Sequence, residues 1–216
     1  DSDDKKELGC RWGLVPEAIH TLGQRLHDCW SRYRSCFKTQ TRDGSVYARH
    51  YLSGLLRMEG HRHYSGIARE TGVADQNLQH FMSNSPWSAE AVYRQVQEEV
   101  KAVAGLTQGA VVLIDESADE KAGDASAGAA KQYNGRLGKV ETSQVGVLLS
   151  YVNLTVAAGF WTWIAGKLFV PEGWFAAGHE KRRKQQGLPD DFVFKTKVEL
   201  AWEGIEQITA AGLPFE

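Results

Sequence analysis

Two adjacent acids, Asp115 and Glu116, follow four apolar residues in the segment VVLIDES. The apolar run predicts a strand that is buried on both faces. A carboxylate at the end of such a strand is unfavourable unless something compensates its charge. A metal ion, a basic partner or a strand end that opens into a solvated cleft could each do so, and the residues alone leave these three alternatives open.

The composition indicates a globular chain of one large or two small domains. Its 216 residues are 42% hydrophobic, include seven Trp and carry a formal net charge of −2. This charge gives no argument for a polyelectrolyte partner, but residues 20–70 hold nine Lys or Arg against four Asp or Glu. The local excess is compatible with phosphate contacts, and the alternative is a solvated helical surface.

Cysteine usage and hydropathy bound the compartment. The three cysteines, Cys10, Cys29 and Cys36, lack the spacing of zinc ligands or of a disulfide scaffold. The sequence has no apolar run near 18 residues, so neither a membrane span nor a membrane partner is predicted. The chain is therefore expected to be intracellular with reduced thiols. Because the first residue is Asp1, it is also expected to be a fragment or a processed product.

The first half is predicted to be helical, with a frayed segment at 1–15 and a helical domain at 16–107. Ala68, Gly72 and Leu78 follow the layout of a helix-turn-helix, in which a small residue, a turn glycine and an apolar residue recur at fixed offsets. The arrangement predicts either DNA contact or simple helix packing. The candidate DNA-binding residues of this region are Arg62, Arg69, Gln76, Asn77, Gln79 and His80.

The second half, 108–216, is predicted to contain strands followed by a helix. VVLIDES, TSQVGVLLSYVNL and GFWTWIAGKLFVP are strand candidates, and the Gly-rich segment between the first two is a loop or hairpin. An irregular charged insert at 172–192 contains EKRRKQQG. The segment TKVELAWEGIEQITAAG predicts an amphipathic helix with Val198, Trp202, Ile205 and Ile208 on one face. The fold class is therefore α+β.

Several of these segments together resemble the DDE transposases of the insertion-sequence-701 family. The motifs are LIDES, KAGDASAGAAKQYNGRLGKVETSQVGVLLSY, LFVPEGW and FKTKVELA, with RHYLSGLL and GVADQNLQHFMSNSPW in the helical part. Two positions depart from the family pattern. Ala122 replaces the second Lys of the family's Lys-Lys-Gly, and Lys131 replaces the Arg of its Arg-Gln-Tyr. The resemblance implies an N-terminal all-helical domain followed by an incomplete, RNase H-like mixed sheet with a helix.

The resemblance also implies the chemistry. Asp115 would be the first of three catalytic acids and would bind Mg²⁺ or Mn²⁺, and the other two acids would follow residue 216. Glu116 would point to the other side of the strand, with a structural or hydrogen-bonding role or as a further metal ligand. The hairpin cations Lys121, Lys131, Arg136 and Lys139 would contact phosphates or be merely solvated, and the same alternatives hold for the run 181–184.

The expected function is therefore that of a DNA transposase, present as an inactive fragment that is truncated before the second acid. The full-length protein is expected to act as a homodimer on double-stranded DNA, at transposon ends and at the target. Its expected location is the bacterial cytoplasm, in association with the nucleoid. The alternatives are a non-catalytic DNA-binding remnant or regulator, and an interaction module that pairs through an open sheet edge.

Overall fold

The computed structural model describes residues 16–58, 60, 62–156 and 159–216, with the backbone alone for Pro16 and Ile19. The segment 1–15, predicted to be frayed, lies outside these residues. The chain divides into two compact units between Val92 and Tyr93, upstream of the boundary predicted at residues 107 and 108. No described helix has both the length and the apolar character that a membrane crossing requires.

The first unit is built from helices that pack around aromatic and aliphatic side chains. Trp30, Ile67, Leu78 and Phe81 are buried in it, and the indole of Trp30 donates to the carbonyl of Ser45. Its helices are α1 (Pro16–Tyr33), a 3-10 helix (Arg34–Phe37), α2 (Ser45–Arg57), α3 (Tyr64–Thr71), α4 (Asp75–Asn84) and the start of α5 (Ala89–Ala102).

The turn between α3 and α4 begins with a glycine and is followed by a buried apolar residue on α4. Gly72 ends α3 in the left-handed conformation with φ of 72°, which glycine adopts without steric cost. Leu78 is fully buried. At the other end of α3, the side chain of His63 caps the helix, since its Nδ1 accepts a hydrogen bond from the amide of Gly66 at 2.9 Å.

The second unit is a four-stranded antiparallel sheet organised on its longest strand. The strands are β1 (Val111–Glu120), β2 (Ala130–Asn134), β3 (Lys139–Asn153) and β4 (Phe160–Phe169). Ser143 of β3 pairs with both Glu120 and Ala130, so β1 and β2 lie on opposite edges of β3. β4 pairs with β3 on the same edge as β2. The α+β class is confirmed, and every described strand pairing is antiparallel.

This unit also contains most of α5. Two short helices and one long helix complete it. They are a 3-10 helix (Glu172–Phe175), α6 (Glu180–Gln185) and α7 (Lys197–Ala210). A capping box formed by Thr196 and Glu199 starts α7. α7 packs on the face of the sheet that carries Leu149 and Tyr151, both fully buried with Ile208.

The predicted apolar face of α7 is buried only in its second half, where Ile208 is buried and Ile205 packs against the core. Val198 and Trp202 are 79% and 64% exposed, whereas the buried residues of the helix are Leu200, Gly204 and Ile208. The reason is close approach, because a Cβ at Gly204 would lie 2.6 Å from Cδ1 of Leu149. The helix meets the sheet through this small residue, which turns the bulkier Val198 and Trp202 away from it.

The prediction that β1 is buried on both faces is wrong. Leu113 and Ile114 are 55% and 45% exposed. Within the described part of the chain, β1 pairs only with β3, so it is an edge strand. At the start of this open edge, the amide of Glu216 donates to the carbonyl of Ala110 at 2.9 Å.

Candidate active site

The two acids of β1 lie on opposite faces of the sheet. Asp115 pairs with Leu148 and Glu116 with Val147, and side chains alternate between faces along a strand. Val147 is buried on the α7 side, while Leu148 is half-buried on the other side. Asp115 is exposed on the face away from α7, which we call the open face; Glu116 lies on the α7 face.

Glu116 has a specific partner on α7. Its carboxylate forms an ion pair with the ammonium of Lys197, the first residue of that helix. The same ammonium lies 5.1 Å from the ring centroid of Phe169 in β4. Glu116 thus links β1 to α7, which favours the structural role among the two predicted for it.

Asp115 lies at a depression between β1 and the β2–β3 hairpin. The depression has a volume of about 410 Å³ and is lined by residues 115–118 together with Tyr133, Gly135 and Arg136. One oxygen of Asp115 accepts the amide of Glu116 at 2.8 Å. Among the described residues, no cation is ion-paired with Asp115, so its carboxylate remains available to a ligand in the depression.

The predicted hairpin cations fall into distinct groups. Lys121 is ion-paired with Asp119 at 2.6 Å, whereas Lys131, Arg136 and Lys139 have no carboxylate partner in the described ranges. Lys131 pairs with Thr142 of β3, and Asp115 pairs with Leu148 of the same strand. Thr142 and Leu148 are six positions apart, so their side chains lie on the same face. Lys131 therefore shares the open face with Asp115.

Lys139 lies on the other face of the same hairpin. It pairs with Asn134, which is fully buried. Asn134 directly follows Tyr133 in β2, so the two side chains lie on opposite faces. The structure therefore places Lys131 on the open face and Lys139 on the α7 face. Arg136, in the turn between β2 and β3, lines the depression at Asp115.

The charge run at 181–184 contains two kinds of residue. Arg182 is ion-paired with Asp124 at 3.0 Å and stacks over the indole of Trp174 at 3.9 Å from its centroid. Arg183 donates to the carbonyl of Trp174 at 2.7 Å. Both arginines hold the insert together, while Lys181 and Lys184 are exposed.

The candidate DNA-binding residues of the first unit are all on its surface. Leu78 and Phe81 bury one side of α4, and the polar side chains project elsewhere. Asn and Gln side chains can form paired hydrogen bonds with adenine in the major groove. The exposed candidates are Gln76, Asn77, Gln79 and His80 on α4, with Arg62 before α3 and Arg69 near its end.

A family comparison decides the class of protein. A family model described as DDE superfamily endonuclease matches residues 32–216. The chain belongs to the DDE superfamily endonucleases. This membership supports a nuclease or transposase type of function with a DNA substrate, and such nucleases generally use divalent metals such as Mg²⁺. No curated protein and no solved structure matched the chain in the corresponding comparisons.

The described residues of this DDE endonuclease chain do not form a cluster of metal ligands. They contain no group of three His, Cys, Asp or Glu that could hold a metal ion. Asp115 fits as one oxygen ligand, because Mg²⁺ keeps several waters and uses few carboxylates. Glu116 is engaged by Lys197 on the other face.

Sequence reasoning missed the residues that organise this region. Lys197 is 81 positions from Glu116 in sequence, and Arg182 is 58 positions from Asp124. No local pattern indicates pairs at such separations. The available signal was the family resemblance of the motifs LFVPEGW and FKTKVELA, which contain Trp174 and Lys197.

Proposed function

We propose that this chain contains the DNA-binding region and the first acid-bearing strand of an insertion-sequence-701-type DNA transposase. The observation that carries the proposal is the placement of Asp115. It is an exposed carboxylate on the open face, it lines a depression with Arg136, and it has no ion-pair partner among the described residues. A carboxylate beside a guanidinium suits a site that receives both a divalent cation and a phosphate.

The residues around Asp115 would each make a distinct contribution. Asp115 would hold Mg²⁺ or Mn²⁺, which activates water and stabilises charge at the phosphate when bound. Arg136 would bind a phosphate oxygen from the hairpin side of the depression. The ion pair between Glu116 and Lys197 would keep β1 fixed to α7 and so fix the direction of Asp115.

The proposal includes inactivity of the 216-residue chain as a nuclease. It rests on Asp115 being the one acid of the open face without an ion pair among the described residues, since Asp119 is ion-paired with Lys121. In-line phosphodiester cleavage by two metal ions needs several ligands. Purified chain incubated with supercoiled plasmid and Mg²⁺ or Mn²⁺ is expected to leave the plasmid intact. Nicking that disappears in Asp115→Ala would overturn the inactivity and keep the assignment of Asp115.

The proposed partner is double-stranded DNA, at transposon ends and at the target, and the proposed assembly of the full-length protein is a homodimer. The proposed location is the bacterial cytoplasm, in association with the nucleoid. Salt-dependent DNA binding by the chain is expected, because each phosphate contact releases counterions.

A non-catalytic DNA-binding remnant or regulator is the second candidate, and the exposed polar side of α4 favours it. Under this alternative, Asp115→Asn leaves DNA affinity unchanged both with and without Mg²⁺. Under the transposase proposal, Mg²⁺ raises the affinity of the wild-type chain for DNA, and Asp115→Asn removes that increase. Filter binding with and without EDTA separates the two.

An interaction module that pairs through the open edge of β1 is the third candidate. Exposed strand edges favour such pairing, and β1 has only one strand neighbour among the described residues. Size-exclusion chromatography at high protein concentration tests it, since a clean monomer contradicts pairing through this edge.

A further inference from the structure

A second depression borders the β2–β3 hairpin, as the one at Asp115 does. Its volume is about 570 Å³, and its lining includes Lys131, Thr142, Asp124, Trp174 and Arg182. Lys131 and Thr142 are cross-strand partners on the open face. The two depressions are thus both bordered by the same side of the β2–β3 hairpin.

Each depression is lined by an exposed β2 side chain that could contact a nucleic-acid strand, Tyr133 in the first and Lys131 in the second. Tyr133 is 63% exposed and follows Lys131 on the same side of β2. These two residues are therefore about 6.6 Å apart along the strand. Exposed aromatic rings stack with bases or sugars, and cations along a groove follow the phosphate backbone.

The walls of the second depression are held in place by the insert. The indole of Trp174 donates to the carbonyl of Ala129 at 3.1 Å, and Arg182 contacts both Trp174 and Asp124. Because Arg182 is ion-paired with Asp124, Lys131 is the lining cation without an ion pair within the described residues. The insert thus forms one border of the depression, and Lys131 supplies the charge.

We propose that a DNA strand bound at Asp115 continues along Arg136, Tyr133 and Lys131 into this second depression. The residues Lys131 and Thr142 would bind a phosphodiester of the same strand, at a distance from the one at Asp115. This path rests on the proposed function, since it assumes that DNA occupies the depression at Asp115. It also assigns different roles to two exposed lysines of one hairpin, Lys131 and Lys139.

The first test compares Lys131→Ala with the matched control Lys139→Ala in the 216-residue chain. Both lysines are exposed and lack ion pairs in the described ranges, so neither change disturbs a core. With a 30-nucleotide single strand and the corresponding duplex as probes, Lys131→Ala is expected to weaken binding severalfold. It should also lower the slope of log affinity against log salt by about 1, and Lys139→Ala should change neither quantity.

The second test locates the strand directly. Tyr133→p-benzoylphenylalanine places a photo-crosslinker on the open face, and Lys139→p-benzoylphenylalanine places it on the other face. Illumination of the complexes is expected to crosslink DNA from position 133 far more than from position 139. Equal crosslinking, or crosslinking mainly from position 139, would overturn the path.

The outcomes separate this path from the function on which it rests. If the wild-type chain binds neither probe, both the proposed function and the path are contradicted. If it binds DNA and the two lysine variants lose the same affinity, the path alone is wrong. Loss confined to Lys131→Ala, with crosslinking confined to position 133, supports the path.

Discussion

Gly204 lies where α7 crosses β3, and its replacement tests the packing that positions β1. A Cβ added there would lie 2.6 Å from Cδ1 and 2.9 Å from Cδ2 of Leu149, where ordinary carbon contacts need about 3.5–4.0 Å. Leu149 is fully buried and has little room to move. Overpacking of this kind costs about 1–3 kcal/mol.

The net effect of Gly204→Ala also includes a gain in helix propensity. Alanine is preferred over glycine in a helix interior by about 1 kcal/mol. The free energy of unfolding is therefore expected to fall by about 0–2 kcal/mol. In a Leu149→Ala background the methyl groups that would clash are absent, so the same glycine replacement should stabilise by up to about 1 kcal/mol.

Denaturant unfolding of the four proteins in this cycle, followed by fluorescence and circular dichroism, measures the coupling between the two positions. The expected coupling is about 1–3 kcal/mol, the size of the overpacking term. If Gly204→Ala stabilises the wild-type chain as much as it stabilises the Leu149→Ala variant, α7 does not approach β3 as described, and the reasoning fails.

Three further outcomes are expected. The hydroxyl of Ser45 and other donors lower the pKa of Asp43 from 3.8 to about 2. The stabilising contribution of the Asp43 carboxylate is therefore complete above pH 3.8 and is lost as the pH falls toward 2. Unfolding of Asp43→Asn should therefore depend less on pH in that window, by about 1 kcal/mol or less at this exposed site. His63→Ala should destabilise the first unit by about 1 kcal/mol and speed hydrogen exchange at Gly66, while His63→Asn, which keeps an acceptor, should cost less. A double-mutant cycle of Glu116→Gln and Lys197→Met should give a coupling of about 0.2–1 kcal/mol that weakens with salt, and no coupling would contradict the ion pair.

Much of the element order could be predicted from the sequence, because periodicity and turn residues are local signals. The helical character of the first unit, the glycine turn at Gly72 and the succession of strands and helix in the second unit follow from such signals. The opposite orientation of Asp115 and Glu116 also follows, since alternation along a strand is a property of the backbone alone.

The wrong predictions concern the neighbours of β1 and α7 in the folded chain, which decide the faces that are buried. The apolar run before Asp115 has the same composition in an edge strand as in a central one, and only the pairing of β1 with β3 alone shows that it is an edge. The helical period correctly gave an amphipathic α7, but the close contact at Gly204 decides which face is buried.

The candidate site shows the same limit. Lysines at positions 131 and 139 look equivalent in sequence, and the register of the hairpin separates them. The sequence of the run at 181–184 does not indicate which of its four cations are engaged in contacts. The structure shows that Arg182 contacts Trp174 and Asp124. Long-range pairing decides which charges are available, and single-sequence patterns do not contain it.

Binding of Mn²⁺ to the 216-residue chain tests the central claim, that Asp115 is a ligand for divalent cations on the open face. Paramagnetic broadening of amide NMR signals should be strongest around residues 113–118. It should be lost in Asp115→Asn and retained in Asp119→Asn, because Asp119 shares that face but is ion-paired with Lys121. Equal broadening in the wild-type chain and in Asp115→Asn would contradict the account.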